Sequence, residues 1–78
     1  MNLDTDKIDE MILALLYLTT FEDQGVIRAW KGQDWEALNR LFEKGFIGDP
    51  KNKAKSVPLS KEGAKISKEL FNKHFVKK

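Results

Sequence analysis

Seventy-eight residues with 14 Lys and Arg against 12 Asp and Glu, 41% of them hydrophobic, make one small domain whose core is only just large enough to hold a fold. The chain has no cysteine, which excludes a disulfide framework, a thiolate metal site and a cysteine nucleophile. Its longest apolar run, Met11 to Leu18, is far short of the ~20 residues that span a bilayer, and it follows acidic residues, so the expectation is a soluble cytoplasmic protein with no membrane association.

The first helix is expected to start near Asp4 or Asp6, either of which can accept a hydrogen bond from a free amide of the first turn. Ile8, Met11, Ile12, Leu15 and Leu16 follow the spacing of one helical face, with Leu13 and Leu18 beside it, so the helix should be largely covered by its neighbours. Asp4, Asp6, Asp9 and Glu10 crowd its N-terminus, where the helix dipole favours negative charge. They lack the alternation and glycine turn of a calcium loop, so no metal is expected there. Thr19 to Gly25 reads as a polar turn. Val26 to Lys31, bracketed by Gly25 and Gly32, reads as a short strand.

The second helix has clearer punctuation. Asp34 is its cap, Trp35, Leu38, Leu41 and Phe42 are its expected buried stripe, and Gly45 is its left-handed stop. Glu36, Asn39, Arg40, Glu43 and Lys44 are left to the exposed side. Phe46 and Ile47 open a further strand, Gly48 to Lys53 supplies turn chemistry, and Ser56 to Leu59 returns. Pro58 has no amide hydrogen, so the returning strand should be short or interrupted. Ser60 caps a third helix in which Ala64, Ser67, Leu70, Phe71, His74 and Phe75 recur at helical spacing with Ile66 alongside. Gly63 weakens that helix locally, which implies close contact with a neighbouring backbone. The strand at Trp30 should pair with the one near Val57, and that one with Phe46-Ile47.

Leu38 and Leu41, then Gly45-Phe46-Ile47, then Lys51 to Lys55, then Leu59-Ser60-Lys61-Glu62-Gly63 resemble the winged-helix domains of bacterial regulators. Ile27-Arg28-Ala29-Trp30-Lys31-Gly32, Asp49-Pro50 and Lys53-Ala54-Lys55-Ser56-Val57 resemble more closely a family of short bacterial proteins known only as a domain of unknown function. That second resemblance covers nearly the whole chain and implies no activity, cofactor or partner. The fold expected is α+β: one winged-helix-like domain over residues 1–78, with three helices and an antiparallel sheet of two to three strands. One departure stands out. Regulators of this kind carry two helices between first strand and wing, and the second enters the major groove. Here only Asp34 to Lys44 fits. Either Thr20 to Val26 hides a very short helix or the helix-turn-helix has lost a member, and the second reading is preferred.

Charge is unevenly spread. Met1 to Gly48 holds five basic and nine acidic residues, whereas Asp49 to Lys78 holds nine lysines and three acidic residues. Such asymmetry points to a polyanion-facing surface or to a solvated basic face. Lys51, Lys53 and Lys55 alternate, as phosphate contacts on a wing or as guards against strand pairing would. Arg40 and Asn39 are the candidate groove readers of the second helix, although Glu36 and Glu43 share its exposed side. His74, the single histidine, sits on an apolar stripe and reads as structural. No nucleophile motif or phosphate-cradling loop is present, so neither an enzyme nor a cofactor is expected. Two functional readings remain. One is a nucleic-acid-binding or transcription-accessory module in which duplex DNA or another polyanion meets Lys51, Lys53, Lys55, Arg40 and Asn39. The other is a module that binds a protein partner or forms a homodimer through Trp30, Phe21, Phe71, Phe75 and Val76.

Overall fold

The computed structural model describes residues 1–77. Three helices and a three-stranded antiparallel sheet follow in the order α1 (Thr5–Leu16), a 3-10 turn (Tyr17–Thr19), β1 (Thr20–Asp23), β2 (Val26–Trp30), α2 (Trp35–Glu43), β3 (Ser56–Pro58) and α3 (Lys61–Phe75). The sheet order is β1-β2-β3. The expected partner of the Trp30 strand is present, with Ala29 opposite Val57, and Ile47 adds an isolated bridge to Leu59.

Each helix begins where a side chain supplies the missing acceptor. Asp4 accepts from the Lys7 amide, Asp34 from the Ala37 amide and Ser60 from the Gly63 amide. Helix α2 ends at Gly45, whose φ of +82° only glycine adopts cheaply. The Phe46 amide then donates back to Leu41 O and the Gly45 amide to Phe42 O, both at 3.0 Å. That pair of bonds is the Schellman closure, and it turns Phe46 into the core. Gly63 is required by proximity. A Cβ there would lie 2.0 Å from Phe46 O, so α3 crosses the Phe46 backbone directly.

Three expectations are corrected. Thr19 to Gly25 is not simply a polar turn, and Thr20 to Val26 hides no helix: Thr20–Asp23 is a strand, joined to β2 by a two-residue turn at Gln24 and Gly25. Both turn residues have positive φ, 52° and 81°, the twist that a tight hairpin needs. On α1 the deepest positions are Asp9, Leu13, Ala14 and Leu16, with Ile8, Met11, Ile12 and Leu15 half-buried and Leu18 exposed. On α2 the buried residues are Ala37, Leu38 and Leu41, while Trp35 and Phe42 are 54% and 40% exposed. At 3.6 residues per turn Trp35 and Phe42 fall on one flank of the buried face, and Arg40 and Lys44 fall on the other. A single helix lies between β2 and the loop that precedes β3.

The core gathers Leu13 and Leu16 of α1, Ala29 of β2, Leu38 and Leu41 of α2, and Ile47, Val57 and Leu59 around the last strand. Cross-strand partners share a face of a sheet, so Ala29 and Val57 turn inward while Phe21, Arg28 and Trp30 turn outward. No helix among the described residues is long and apolar enough to cross a membrane.

Candidate nucleic-acid interface

The basic segment between Gly48 and β3 is an ordered loop. Its root is closed by the Gly48 amide donating to Pro58 O at 2.9 Å and the Lys31 amide donating to Lys55 O at 3.1 Å. Within it the Asp49 carboxylate accepts from the Lys51 amide (2.8 Å), and the Asn52 carboxamide oxygen accepts from the Ala54 amide (2.9 Å). These are Asx turns, the local bonds that Asp and Asn make in preference to strand pairing. Pro50 is fully buried and pins the loop to the domain.

A residue that sequence reasoning passed over holds the loop in place. The Lys31 ammonium donates to Pro50 O (2.8 Å), Asn52 O (2.9 Å) and Asn52 Oδ1 (3.0 Å), which uses all three of its hydrogens. It also lies 5.8 Å from the centre of the Trp35 ring, within cation–π range. Lysine at a strand end carries no local signal of such a role.

Lys51, Lys53 and Lys55 are all exposed, and among the described residues none of their ammonium groups forms an ion pair or a side-chain hydrogen bond. Because the segment is built from turns, strict strand alternation does not order them. Arg40 and Asn39 stand apart. The Arg40 guanidinium grips Asp9 of α1, Nε lying 2.8 Å from both carboxylate oxygens and Nη2 2.8 Å from Oδ1. Lys44 reaches the same carboxylate at 3.0 Å. Asn39 is half-buried, and its Oδ1 is enclosed without a hydrogen-bond partner. The three loop lysines thus share one exposed segment, and Arg40 belongs to a different cluster.

That second cluster was also invisible in sequence. Asp9, grouped above with the dipole-facing carboxylates, is 1% exposed and joins α1 to α2. Burial raises its carboxyl pKa, but hydrogen bonds from Arg40 and Lys44 and their charges outweigh burial and hold it below 3.8. Those hydrogen bonds raise Arg40 and Lys44 in turn. On the next residue of α1, Glu10 Oε1 lies 3.0 Å from His74 Nε2 of α3, and that hydrogen bond lowers the Glu10 carboxyl. Between these pairs opens a cavity of about 240 Å³ with Leu13, Leu41, Phe46, Ile66 and Leu70 at its apolar floor. Among the described residues no three His, Asp or Glu side chains are placed to hold a metal ion.

Aromatic side chains reach solvent in two further places. Phe21 and Trp30 stack on the outward sheet face with ring centres 5.6 Å apart, 36% and 50% exposed. Tyr17 of the 3-10 turn packs on Phe71 of α3, which packs on Phe75, with Phe75 44% exposed and Val76 beyond it 48% exposed.

Comparison with known proteins gives a family. The model described as Domain of unknown function (DUF6429) matches residues 4–77. The uncharacterized protein y4hR of Sinorhizobium fredii (strain NBRC 101917 / NGR234) is 48% identical over 77 residues, which cover 99% of this chain and 100% of that one. No solved structure matches the chain.

Proposed function

The chain belongs to this family of unknown function, and from that footing we propose that it is a non-enzymatic, nucleic-acid-binding module of wing-like type, suited to a transcription-accessory role. The observation that carries the reading is the basic loop itself: three exposed, unpaired lysines on a segment held rigid by Lys31, Asn52 and buried Pro50. A preordered loop loses little conformational entropy when it docks, and its free ammonium groups need break no internal pair to meet phosphate. Lys51, Lys53 and Lys55 are the phosphate contacts. Arg40 contributes indirectly, by fixing α2 to α1 through Asp9.

Fluorescence anisotropy with a labelled oligonucleotide tests the assignment. Affinity should fall with salt by about two decades per decade for a single strand and nearly three for a duplex, the slopes that about three phosphate contacts imply. Charge reversal at Lys51, Lys53 and Lys55 together should remove binding. Unchanged binding by that variant would sink the assignment.

A second reading rests on the Phe21–Trp30 stack. Its exposed aromatic area on the outward sheet face suits a protein partner or a second copy of this chain. Sedimentation that stays monomeric at high concentration would remove the self-associating form.

A further inference from the structure

The wing-like loop does not sit beside a helix equipped to read duplex DNA. Reading base edges in the major groove calls for free Arg, Lys, Asn or Gln side chains on one exposed helical face. On α2 Arg40 and Lys44 are bonded to Asp9, and Asn39 is half-buried. What remains exposed is Trp35, Glu36, Phe42 and Glu43, an apolar and acidic set.

What the loop does have beside it is an indole. Trp35 is 54% exposed, and the Lys31 ammonium 5.8 Å from its ring centre is the same group that bonds Pro50 O and Asn52 O. The ring is therefore tied to the stretch that carries Lys51 and Lys53. Lysines that track a backbone next to an exposed aromatic face are the combination by which proteins hold unpaired bases. In a duplex the bases are already stacked on each other and their faces are out of reach. Trp30, though equally exposed, turns to the outward sheet face with Phe21 and Arg28, away from the side chain of Lys31.

Resting on the reading that this loop binds nucleic acid, we infer that its ligand is a single strand, with Lys51, Lys53 and Lys55 on phosphates and a base stacked on Trp35. The free face of the indole takes the base while Lys31 steadies the ring from its own side. Asp34, one residue before the ring, is turned to the Ala37 amide as a cap and so presents less free charge to a phosphate.

The test uses the Trp30→Phe variant, in which Trp35 is the sole tryptophan. Its fluorescence is titrated at low salt with oligo-dT, with oligo-U, with a mixed-sequence duplex and with polyglutamate. Both single strands should quench Trp35 and bind about tenfold or more tighter than the duplex, and a preference between them identifies the sugar. In anisotropy with a labelled strand, Trp35→Ala should weaken binding about 5- to 100-fold, the range that loss of one base stack implies. Trp35→Phe should restore most of it, and Trp30→Ala should leave it unchanged. Equal affinity for duplex and single strand, with Trp35→Ala binding like the parent, would overturn the single-strand inference while the basic loop kept its role. Polyglutamate binding as tightly as the oligonucleotides would reduce the site to bare charge and overturn it too. Absence of binding to every nucleic acid would remove both the inference and the reading beneath it.

Discussion

The seam between α1 and α2 and the loop before β3 use positive charge in opposite ways. At the seam, Arg40 and Lys44 converge on one carboxylate, Asp9, that water barely reaches. In and just after β2, Arg28 donates to Ser56 Oγ and Ser56 O, and Lys31 to the carbonyls of Pro50 and Asn52. Every cation from Arg28 to Lys44 is thus engaged inside the domain. In the loop, Lys51, Lys53 and Lys55 are free. Charge that is already hydrogen-bonded holds elements together; charge left in water can be offered to a ligand. Position within the fold, and not residue type, separates the two.

Removing Asp9 should break the contrast most severely. Asp9→Ala leaves Arg40 without its carboxylate and Lys44 with only the exposed Asp6 at 3.4 Å, and breaking such a pair costs about 3–5 kcal/mol when it is fully buried. The side chains of Arg40 and Lys44 keep 28% and 37% of their exposure, so water recovers part of that. A loss of about 2 kcal/mol is expected, or roughly 10 °C in thermal midpoint by calorimetry.

Acid should do the same to the unaltered chain. The Asp9 carboxyl is held below 3.8 in the folded state, so its stabilisation is fully present above that value and is lost as pH falls through the folded pKa. Glu10, lowered by His74, adds to the same trend. Denaturant melts of parent and Asp9→Ala should therefore differ at neutral pH and converge as pH falls well below 3.8. A gap that persists in acid would show that the seam depends on packing and not on charge.

Lys31→Ala probes the engaged cation that holds the basic loop to the domain. It should cost about 1 kcal/mol, the net worth of a charged hydrogen-bond cluster near the surface, and should speed amide exchange at Asn52 and Ala54 more than in the core. The smallest change in stability is expected for Lys51, Lys53 and Lys55 replaced together by glutamate. Exposed, unpaired side chains contribute within about 0.5 kcal/mol each, so chemical denaturation should barely move while binding disappears.

Much of the frame was legible beforehand because it rests on local chemistry. Asp34, Ser60 and Gly45 mark helix ends through bonds to neighbours three or four residues away, and the turn residues Asp49, Pro50 and Asn52 act over two or three. Gly63 announced a close backbone, and the Phe46 carbonyl is that backbone. The first hairpin was missed because its turn uses Gln24, a residue that rarely takes positive φ, and because Thr20 to Asp23 has little apolar alternation. Asp9 was misjudged for a different reason. Its partners lie 31 and 35 residues away, and only the packing of α2 on α1 decides which of four N-terminal carboxylates is buried. Lys31 and Trp35 escaped notice likewise, since their meeting depends on where the loop at Pro50 folds back.

The most direct test of the charge contrast is an amide-resolved NMR titration with oligonucleotide at low and moderate salt. Shifts confined to Lys51 through Lys55 and to residues around Lys31 and Trp35, fading as salt rises, with Arg40 and its neighbours still, are the expected result. A spectrum that does not move at low salt, or one that moves mainly along the Arg40 side of α2, would contradict it.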